Sequence, residues 1–243
     1  AQKAILALMT GAGIGVMYSE IRPSGSVVHR TGGTASGPIS LMQMINELGR
    51  GIIQGGSRRS AIWAGLHWNH PDIISFIEIK NWVPEVRKLK EKDFNFPASL
   101  DGTNVSVILN DDFFDAYHTV GHPQHSLSHT VYNKTLRRML KTGEPGFSID
   151  CKSNKTENLR NACTEITSSD DSDVCNLASI NLSRISSLEE MKAAVELGTL
   201  FLLAGTVYSH VPYEKVKIVR EKNRRLGLGL MGIHEWLLKM VNH

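Results

Sequence analysis

The chain has 243 residues, of which 41% are hydrophobic and 21% are charged, and its formal net charge is +3. This length suffices for one large domain or two small ones, and the composition is typical of a globular protein with a substantial core. Because the net charge is small and no dense Lys/Arg run occurs, the sequence argues against nucleic-acid binding. A weakly basic balance still fits small anionic ligands such as nucleotides.

The three cysteines are too few, and odd in number, for a disulfide scaffold, so we expect a reducing, cytoplasmic environment. No apolar run approaches the roughly 20 residues that span a bilayer, so we expect no membrane contact. The longest candidate, LGTLFLLAGTVYSHV (197–211), is interrupted by small and polar residues and is expected to form a buried helix.

The first third of the chain alternates predicted helices and strands: a short helix over 1–10, a strand over 13–22, a helix over 39–52 and a strand over 61–68. Two glycine-rich loops lie between them. The first glycine-rich loop covers residues 23–38, and the second glycine-rich loop, QGGSRRS, covers residues 54–60.

The same alternation continues: a helix over 70–82, a strand over 104–110, helices over 111–117 and 133–143, a strand over 146–150 and a long helix over 187–204. The first of these helices has Pro71 in its first turn and Asp72 beside it, both favoured there. The long helix is expected to turn four apolar residues inward, namely Leu188, Met191, Val195 and Leu202. Strands that alternate with helices, without a linker, predict an α/β fold in one domain over 1–243.

Three glycine motifs can each be interpreted in two ways. GLGLMG (227–232) matches the dinucleotide-binding pattern, but a charged, helical segment precedes it where a strand is required, so close helix packing through small residues is favoured. GAGIG (11–15) predicts either bare amides that face a ligand or a tight turn. GGSRR (55–59) predicts either phosphate binding by two arginines or a solvated loop.

The segment NACTEI places Asn161, Cys163 and Glu165 at alternate positions. A strand with a buried cysteine is the plain interpretation, yet asparagine and glutamate are poor strand formers and would face the same way as Cys163. A neighbouring carboxylate raises the pKa of a thiol, and no histidine lies nearby in sequence, so a cysteine hydrolase is disfavoured. The pattern suits a neutral sulfur radical, with Glu165 as general base on a substrate hydroxyl that Asn161 holds. Cys175 could then supply reducing equivalents.

NACTEI followed by VCNLASINL (174–182) resembles the catalytic core of the ribonucleotide reductase large subunit. Other segments resemble that family in the same order along essentially the whole chain. They are GAGIGVMYSEIRPSGSVVHRTGGTASGP, GGSRRSAIWAGLHWNHPDI, GEPGFSID and NRRLGLGLMG.

The resemblance implies reduction of ribonucleotides to deoxyribonucleotides. Cys163 would be the thiyl radical that removes the ribose 3′ hydrogen, Glu165 would deprotonate the 3′ hydroxyl, and Asn161 would orient the substrate hydroxyls. Cys175 would be one of two reducing thiols. Cys151 matches no catalytic position and is expected to be structural.

The resemblance also implies binding roles. The Gly13 amide would touch the substrate, and Arg58 would reach the substrate from the loop that relays effector identity. Gln54 lies in that loop, and Arg22 would hold the triphosphate of a nucleotide effector. No metal site is expected. His29 and Arg30 stand where many relatives carry an effector-binding arginine.

The implied fold is a partial ten-stranded α/β barrel with Cys163 on an inner finger loop. We expect the chain to be a fragment, truncated at both ends and inactive alone, because a second reducing cysteine and the second barrel half are missing. Implied partners are the remaining part of the subunit, a thioredoxin-like or glutaredoxin-like reductant and a second copy in a homodimer.

The forms RRSAIWAGLHWNHPDI and VCNLASINL most resemble the adenosylcobalamin-dependent class. The oxygen-dependent class, with a separate radical-generating subunit, shares these features and is the competing assignment. Outside this family, the sequence could also describe a non-catalytic nucleotide-sensing α/β module or a generic α/β thiol enzyme. The joint presence of Asn161, Cys163 and Glu165 argues against the sensing module, and the ordered motifs argue against the generic enzyme.

Overall fold

A computed structural model describes residues 1–30, 32–54, 58–151 and 158–241, with the side chains of Gln54 and Arg58 left aside. Two compact units are present, Ala1–Ser169 and Asp170–His243. The single domain expected from the sequence stays a prediction.

The helices of the first unit are α1 (Gln2–Met9), α2 (Gly37–Arg50), α3 (Ile73–Glu78), α4 (Pro84–Lys92), α5 (Asp111–His118) and α6 (His125–Thr142). Its strands are β1 (Ile14–Met17), β2 (Val27–Val28), β3 (Gly33–Thr34), β4 (Ile53–Gln54), β5 (Arg58–Arg59), β6 (Ile62–His67), β7 (Thr103–Asn110), β8 (Gly146–Asp150), β9 (Leu159–Arg160) and β10 (Thr167–Ser168). The second unit contains β11 (Cys175–Asn181), a 3-10 turn (Leu182–Arg184), α7 (Leu188–Tyr208), α8 (Glu214–Asn223), β12 (Arg225–Met231) and α9 (Ile233–Val241).

The first unit is built on a parallel sheet with the strand order β1-β6-β7-β8. Strands β6 and β7 are buried along almost their whole length, as expected for parallel strands that are covered on both faces. On one face the core joins Leu66 and Val107 of the sheet to Phe76, Phe113 and Val131 of helices α3, α5 and α6. The α/β fold predicted from the sequence is confirmed.

The other face of this sheet carries small and polar side chains around one large ring. The indole Nε1 of the buried Trp63 donates a hydrogen bond to Ser106 Oγ at 2.9 Å. A Cβ added at Gly65 would lie 2.3 Å from the Trp63 ring, so only glycine leaves room for the indole there. The position of the Trp63 ring on this face is therefore fixed, and other chain segments can pack against it.

The second unit is a pair of parallel strands joined through α7 and α8. The register runs from Cys175 opposite Arg225 to Asn181 opposite Met231. Gly227 and Gly229 lie on β12, so the expectation that GLGLMG packs between helices is wrong. Leucines alternate with these glycines, which is the period of a strand.

The exposure of helix α7 differs from the buried helix expected from the sequence. Leu202 is buried as predicted, but Leu188 is 56% exposed and Val195 is 38% exposed. Within the described residues α7 is the one helix long and apolar enough to cross a membrane, with 11% of its most apolar stretch buried. Core helices of soluble proteins pass the same test of length and composition, so this is weak evidence for a membrane span.

Two helix starts also differ from the predictions. Helix α3 begins at Ile73 with Asp72 as its N-cap residue, so Pro71 precedes the helix. Helix α6 begins at His125 rather than at Asn133. It ends at Thr142 and is capped by Gly143, which adopts the left-handed conformation that glycine favours.

Candidate active site

A short hairpin of β9 and β10 carries the NACTEI segment. The strands pair Arg160 with Thr167 and Leu159 with Ser168. Residues 161–166, here called the finger loop, connect them. The alternate spacing of Asn161, Cys163 and Glu165 therefore belongs to a tight loop and not to a strand.

Asn161 closes the finger loop with three hydrogen bonds. Its Nδ2 donates to Glu165 Oε1 at 2.8 Å, its Oδ1 accepts from the Ile166 amide at 3.2 Å, and its carbonyl accepts from the Thr164 amide at 3.2 Å. Thr164 has a φ of 67°, which a non-glycine residue adopts only when its surroundings enforce it. Asn161 thus fixes both the turn and the position of the Glu165 carboxylate.

Cys163 lies at the exposed tip of this loop, while its neighbour Ala162 is buried. The thiol makes no hydrogen bond to the described residues, and the Glu165 side chain, two residues further along the loop, is exposed as well. The tip therefore presents a sulfur atom and a carboxylate to a ligand, with a carboxamide that orients the carboxylate.

Arg160 anchors the hairpin across the sheet. Its side chain is 5% exposed, donates to the Ile149 carbonyl at 3.0 Å and lies 3.5 Å from the Asp150 carboxylate. A Cβ at Gly15 would lie 2.1 Å from the Arg160 carbonyl oxygen. Because β1 and β8 are the edge strands of the described sheet, Arg160 connects the hairpin to both edges.

Gly13 lies next to the finger loop. A Cβ there would be 2.8 Å from the Cβ of Ala162 and 3.3 Å from the Cβ of Ala61. Gly13 is exposed, and its amide makes no hydrogen bond to the described part of the chain. The structure thus brings together Gly13, the finger loop and Ala61, the residue that follows the second glycine-rich loop.

The second glycine-rich loop begins and ends in a two-strand pairing, with Gln54 opposite Arg58. The side chains of Gln54 and Arg58 lie outside the described residues, as do 55–57. Arg59 is described, and its guanidinium stacks 4.1 Å above the Phe94 ring and donates to Asn95 Oδ1 at 3.1 Å. This contact anchors one end of the loop.

Arg22 precedes the first glycine-rich loop. Its side chain is exposed and pairs with none of the described residues, which leaves the guanidinium available to an anion. Within the loop, β2 and β3 form a small hairpin.

Cys175 is the first residue of β11, in the second unit, and is half-buried. The turn before it is fixed by the Asp173 carboxylate, which accepts from Arg225 Nε at 2.6 Å and from Asn223 Nδ2 at 2.8 Å. Cys151 directly follows β8. Burial, together with the carboxylates of Asp111 and Asp150, raises the pKa of its thiol, so it is a weak nucleophile.

Sequence reasoning misses Arg160 and Gly15, which hold the finger loop in place. Gly15 belongs to the GAGIG motif, but its close partner lies far along the chain, so no local signal could identify it. The described residues hold no group of three or more His, Cys, Asp or Glu side chains that could bind a metal ion.

A parallel sheet with helices on one face and a thiol-bearing hairpin held against its edge strands defines an α/β scaffold. The chain belongs to the ribonucleotide reductase barrel-domain family, whose model matches residues 1–128 and 124–242.

Several characterised proteins are similar to this chain. The vitamin B12-dependent ribonucleoside-diphosphate reductase of Thermoplasma acidophilum is 29% identical over 95% of the chain and 32% of its own length. The ribonucleoside-diphosphate reductase large chain of Cryptosporidium parvum is 26% identical over 95% of the chain and 34% of its own length. The chain therefore spans about a third of these relatives.

A solved structure supports the fold. The class Id ribonucleotide reductase alpha subunit of Actinobacillus ureae superimposes with a TM-score of 0.70 at 18% identity, over 98% of this chain and 44% of that one. At this identity the likeness concerns the fold alone.

Proposed function

We propose that this chain is part of the catalytic subunit of a ribonucleotide reductase and takes part in reducing ribonucleotides to deoxyribonucleotides. The observation that carries the proposal is the finger loop, which exposes Cys163 and, two residues further along, the Glu165 carboxylate that Asn161 orients. Family membership and the vitamin B12-dependent relatives support it.

In this proposal Cys163 acts as a thiyl radical and takes the 3′ hydrogen atom of the ribose. Glu165 accepts the proton of the 3′ hydroxyl. Its Oε1 is held by Asn161, which leaves Oε2 free to face the substrate. The Gly13 amide and Arg58 bind the substrate, and Asn161 orients its hydroxyls.

The 2′ hydroxyl then leaves as water. Cys175 and a second thiol supply two electrons and two protons and become a disulfide. Cys163 then returns the hydrogen atom to C3′, and Glu165 returns the proton to the 3′ oxygen. A thioredoxin-like or glutaredoxin-like protein would reduce that disulfide. The remaining part of the subunit and a second copy in a homodimer complete the proposed cytoplasmic enzyme.

Adenosylcobalamin is the proposed radical source, since relatives of this chain are named vitamin B12-dependent. When bound, such a cofactor supplies radical chemistry. The exposed Cys163 thiol, which bonds to none of the described residues, fits this role because a bulky group can approach it. Arg22, Gln54 and the second glycine-rich loop are proposed to bind a nucleoside triphosphate effector and relay its identity.

Replacement of the tip cysteine tests the proposal. In the full-length protein, Cys163→Ser should abolish deoxyribonucleotide formation with folding intact, because an O–H bond is much harder to break homolytically than an S–H bond. Cys151→Ser is the matched control and should retain activity. Multiple turnovers by the Cys163→Ser protein would disprove the assignment.

The carboxylate can be tested separately. Glu165→Gln keeps an oxygen that can accept from Asn161 but loses the basic carboxylate, so turnover should fall by about 100-fold or more with little change in thermal stability. Activity assays paired with thermal melts check this. An active Glu165→Gln variant would remove Glu165 from the role of base.

A further inference from the structure

The turn between β6 and α3 is connected to the first glycine-rich loop by an unusual use of an acidic side chain. Asp72 occupies the N-cap position of α3, yet its carboxylate makes no cap hydrogen bond to that helix. Its Oδ2 instead accepts from the amide of Ser24, 48 residues earlier, at 2.9 Å. The Asp72 carboxylate therefore holds the first glycine-rich loop and does not cap helix α3.

His70 makes a second connection from the same turn. The Asp72 amide donates to His70 Nδ1 at 3.1 Å, so the ring proton lies on Nε2. Nε2 is 3.0 Å from the Ile21 carbonyl and donates to it. His70 is 6% exposed, so water competes little for this bond.

These two bonds bracket Arg22. The carbonyl of Ile21, just before it, and the amide of Ser24, two residues after it, are both held by the 70–72 turn. The guanidinium between them is exposed and unpaired among the described residues.

The C-terminal end of the first glycine-rich loop also lies close to Asp72. Gly37 has a φ of 78°, and a Cβ there would lie 3.0 Å from Asp72 Oδ2 and 2.9 Å from Ser24 Cβ. Between the two ends, the Gly25 amide donates to the Ala35 carbonyl at 2.9 Å. Asp72 thus lies where the loop begins and where it ends.

We infer that His70 and Asp72 are positioning residues for Arg22 and set the affinity of the effector triphosphate without touching it. The inference rests on the proposed effector role of Arg22. Its physical basis is preorganisation, because a backbone already held on both sides of Arg22 loses less conformational entropy when the guanidinium binds phosphate.

A double-mutant cycle tests it in the full-length protein. Titration calorimetry with the four deoxynucleoside triphosphates, and with inorganic tripolyphosphate, gives the dissociation constants. Asp72→Ala should weaken binding by about tenfold, and Asp72→Asn, which keeps an acceptor oxygen for Ser24, should restore most of it. In an Arg22→Ala background, Asp72→Ala should cause no further loss.

Asp112→Ala, which removes an exposed carboxylate from the first turn of α5, is the matched control and should bind normally. Amide hydrogen exchange gives a readout free of nucleotide, in which Asp72→Ala should speed exchange at Ser24. An unchanged exchange rate at Ser24 would show that Asp72 does not hold the Ser24 amide. Normal affinity in Asp72→Ala, where Arg22→Ala binds weakly, would overturn the positioning role alone. Normal affinity in Arg22→Ala would remove the effector assignment and the inference with it.

Discussion

Gly15 is the residue at which the sheet and the finger-loop hairpin come closest. A Cβ there would lie 2.1 Å from the Arg160 carbonyl oxygen and 2.9 Å from that of Asn161. The obstacle is backbone, which cannot swing aside as the end of a flexible side chain can. Gly15 is therefore required for space and not for an unusual φ.

Substitution at Gly15 should displace the hairpin. We expect Gly15→Ala to lower the free energy of unfolding by about 1–3 kcal/mol and to increase tryptic cleavage at Arg160, since the anchor must shift. Urea unfolding and limited proteolysis measure both. Gly33→Ala is the control, because a Cβ there meets nothing within 4 Å among the described residues, and it should change neither. Equal stability of the two variants would mean that the hairpin does not lie on β1.

At the scale of elements, the sequence predicts best what depends on near neighbours. The strands β6, β7 and β8 follow from short apolar runs between turn signals, and α1 follows from its apolar spacing. The alternate spacing of residues 161–165 is equally compatible with a strand, so periodicity alone does not predict the finger loop. Only the family resemblance implies it. The bond from Asp72 to Ser24 cannot be predicted, since its partners are 48 residues apart. The prediction that helix α7 is buried is wrong for Leu188 and Val195. An apolar composition indicates that a helix face packs against other protein, but it does not indicate which part of a protein packs there.

Asp101 connects several elements of the first unit. Its side chain is 8% exposed, and its oxygens lie 2.6 Å from Arg50 of α2 and 2.6 Å from Lys90 of α4. Burial alone would raise the pKa of this carboxyl. Hydrogen bonds from Lys90 and Asn46, together with the charges of Lys90 and Arg50, outweigh burial and lower the pKa.

This lowered pKa gives stability a defined pH dependence. Since the folded-state value lies below the unfolded value of about 3.9, the stabilisation is present above that value and is lost as the pH falls through the folded-state pKa. We expect thermal melts between pH 7 and pH 2 to show a steep acid loss that is shallower in Asp101→Asn. Asp115→Asn, which changes an exposed aspartate, should keep the wild-type slope. A wild-type slope in Asp101→Asn would contradict this account.

At the scale of the whole molecule, the second unit leaves apolar surface in water. Leu197, Leu200 and Phe201 follow one face of α7 and are 70%, 63% and 76% exposed. Within the described residues of this unit β11 and β12 pair only with each other, although parallel strands are normally covered and flanked on both sides. A contiguous apolar stripe of this kind is typical of a surface that another layer of protein covers. In the proposed function, that layer is the remaining part of the subunit.

A charged residue on this stripe should therefore reduce self-association of the isolated chain but destabilise the full-length protein. In the 243-residue chain alone, Phe201→Glu should increase the monomer fraction in light scattering, because it removes an exposed ring that favours association. In the full-length protein it should lower the free energy of unfolding by at least about 2 kcal/mol, because the carboxylate would be buried without a partner. Val120→Glu, at an isolated residue that is 88% exposed, should be nearly neutral in both. A stable, fully active full-length Phe201→Glu protein would mean that the stripe faces solvent there, and the remaining part of the subunit would not be its cover.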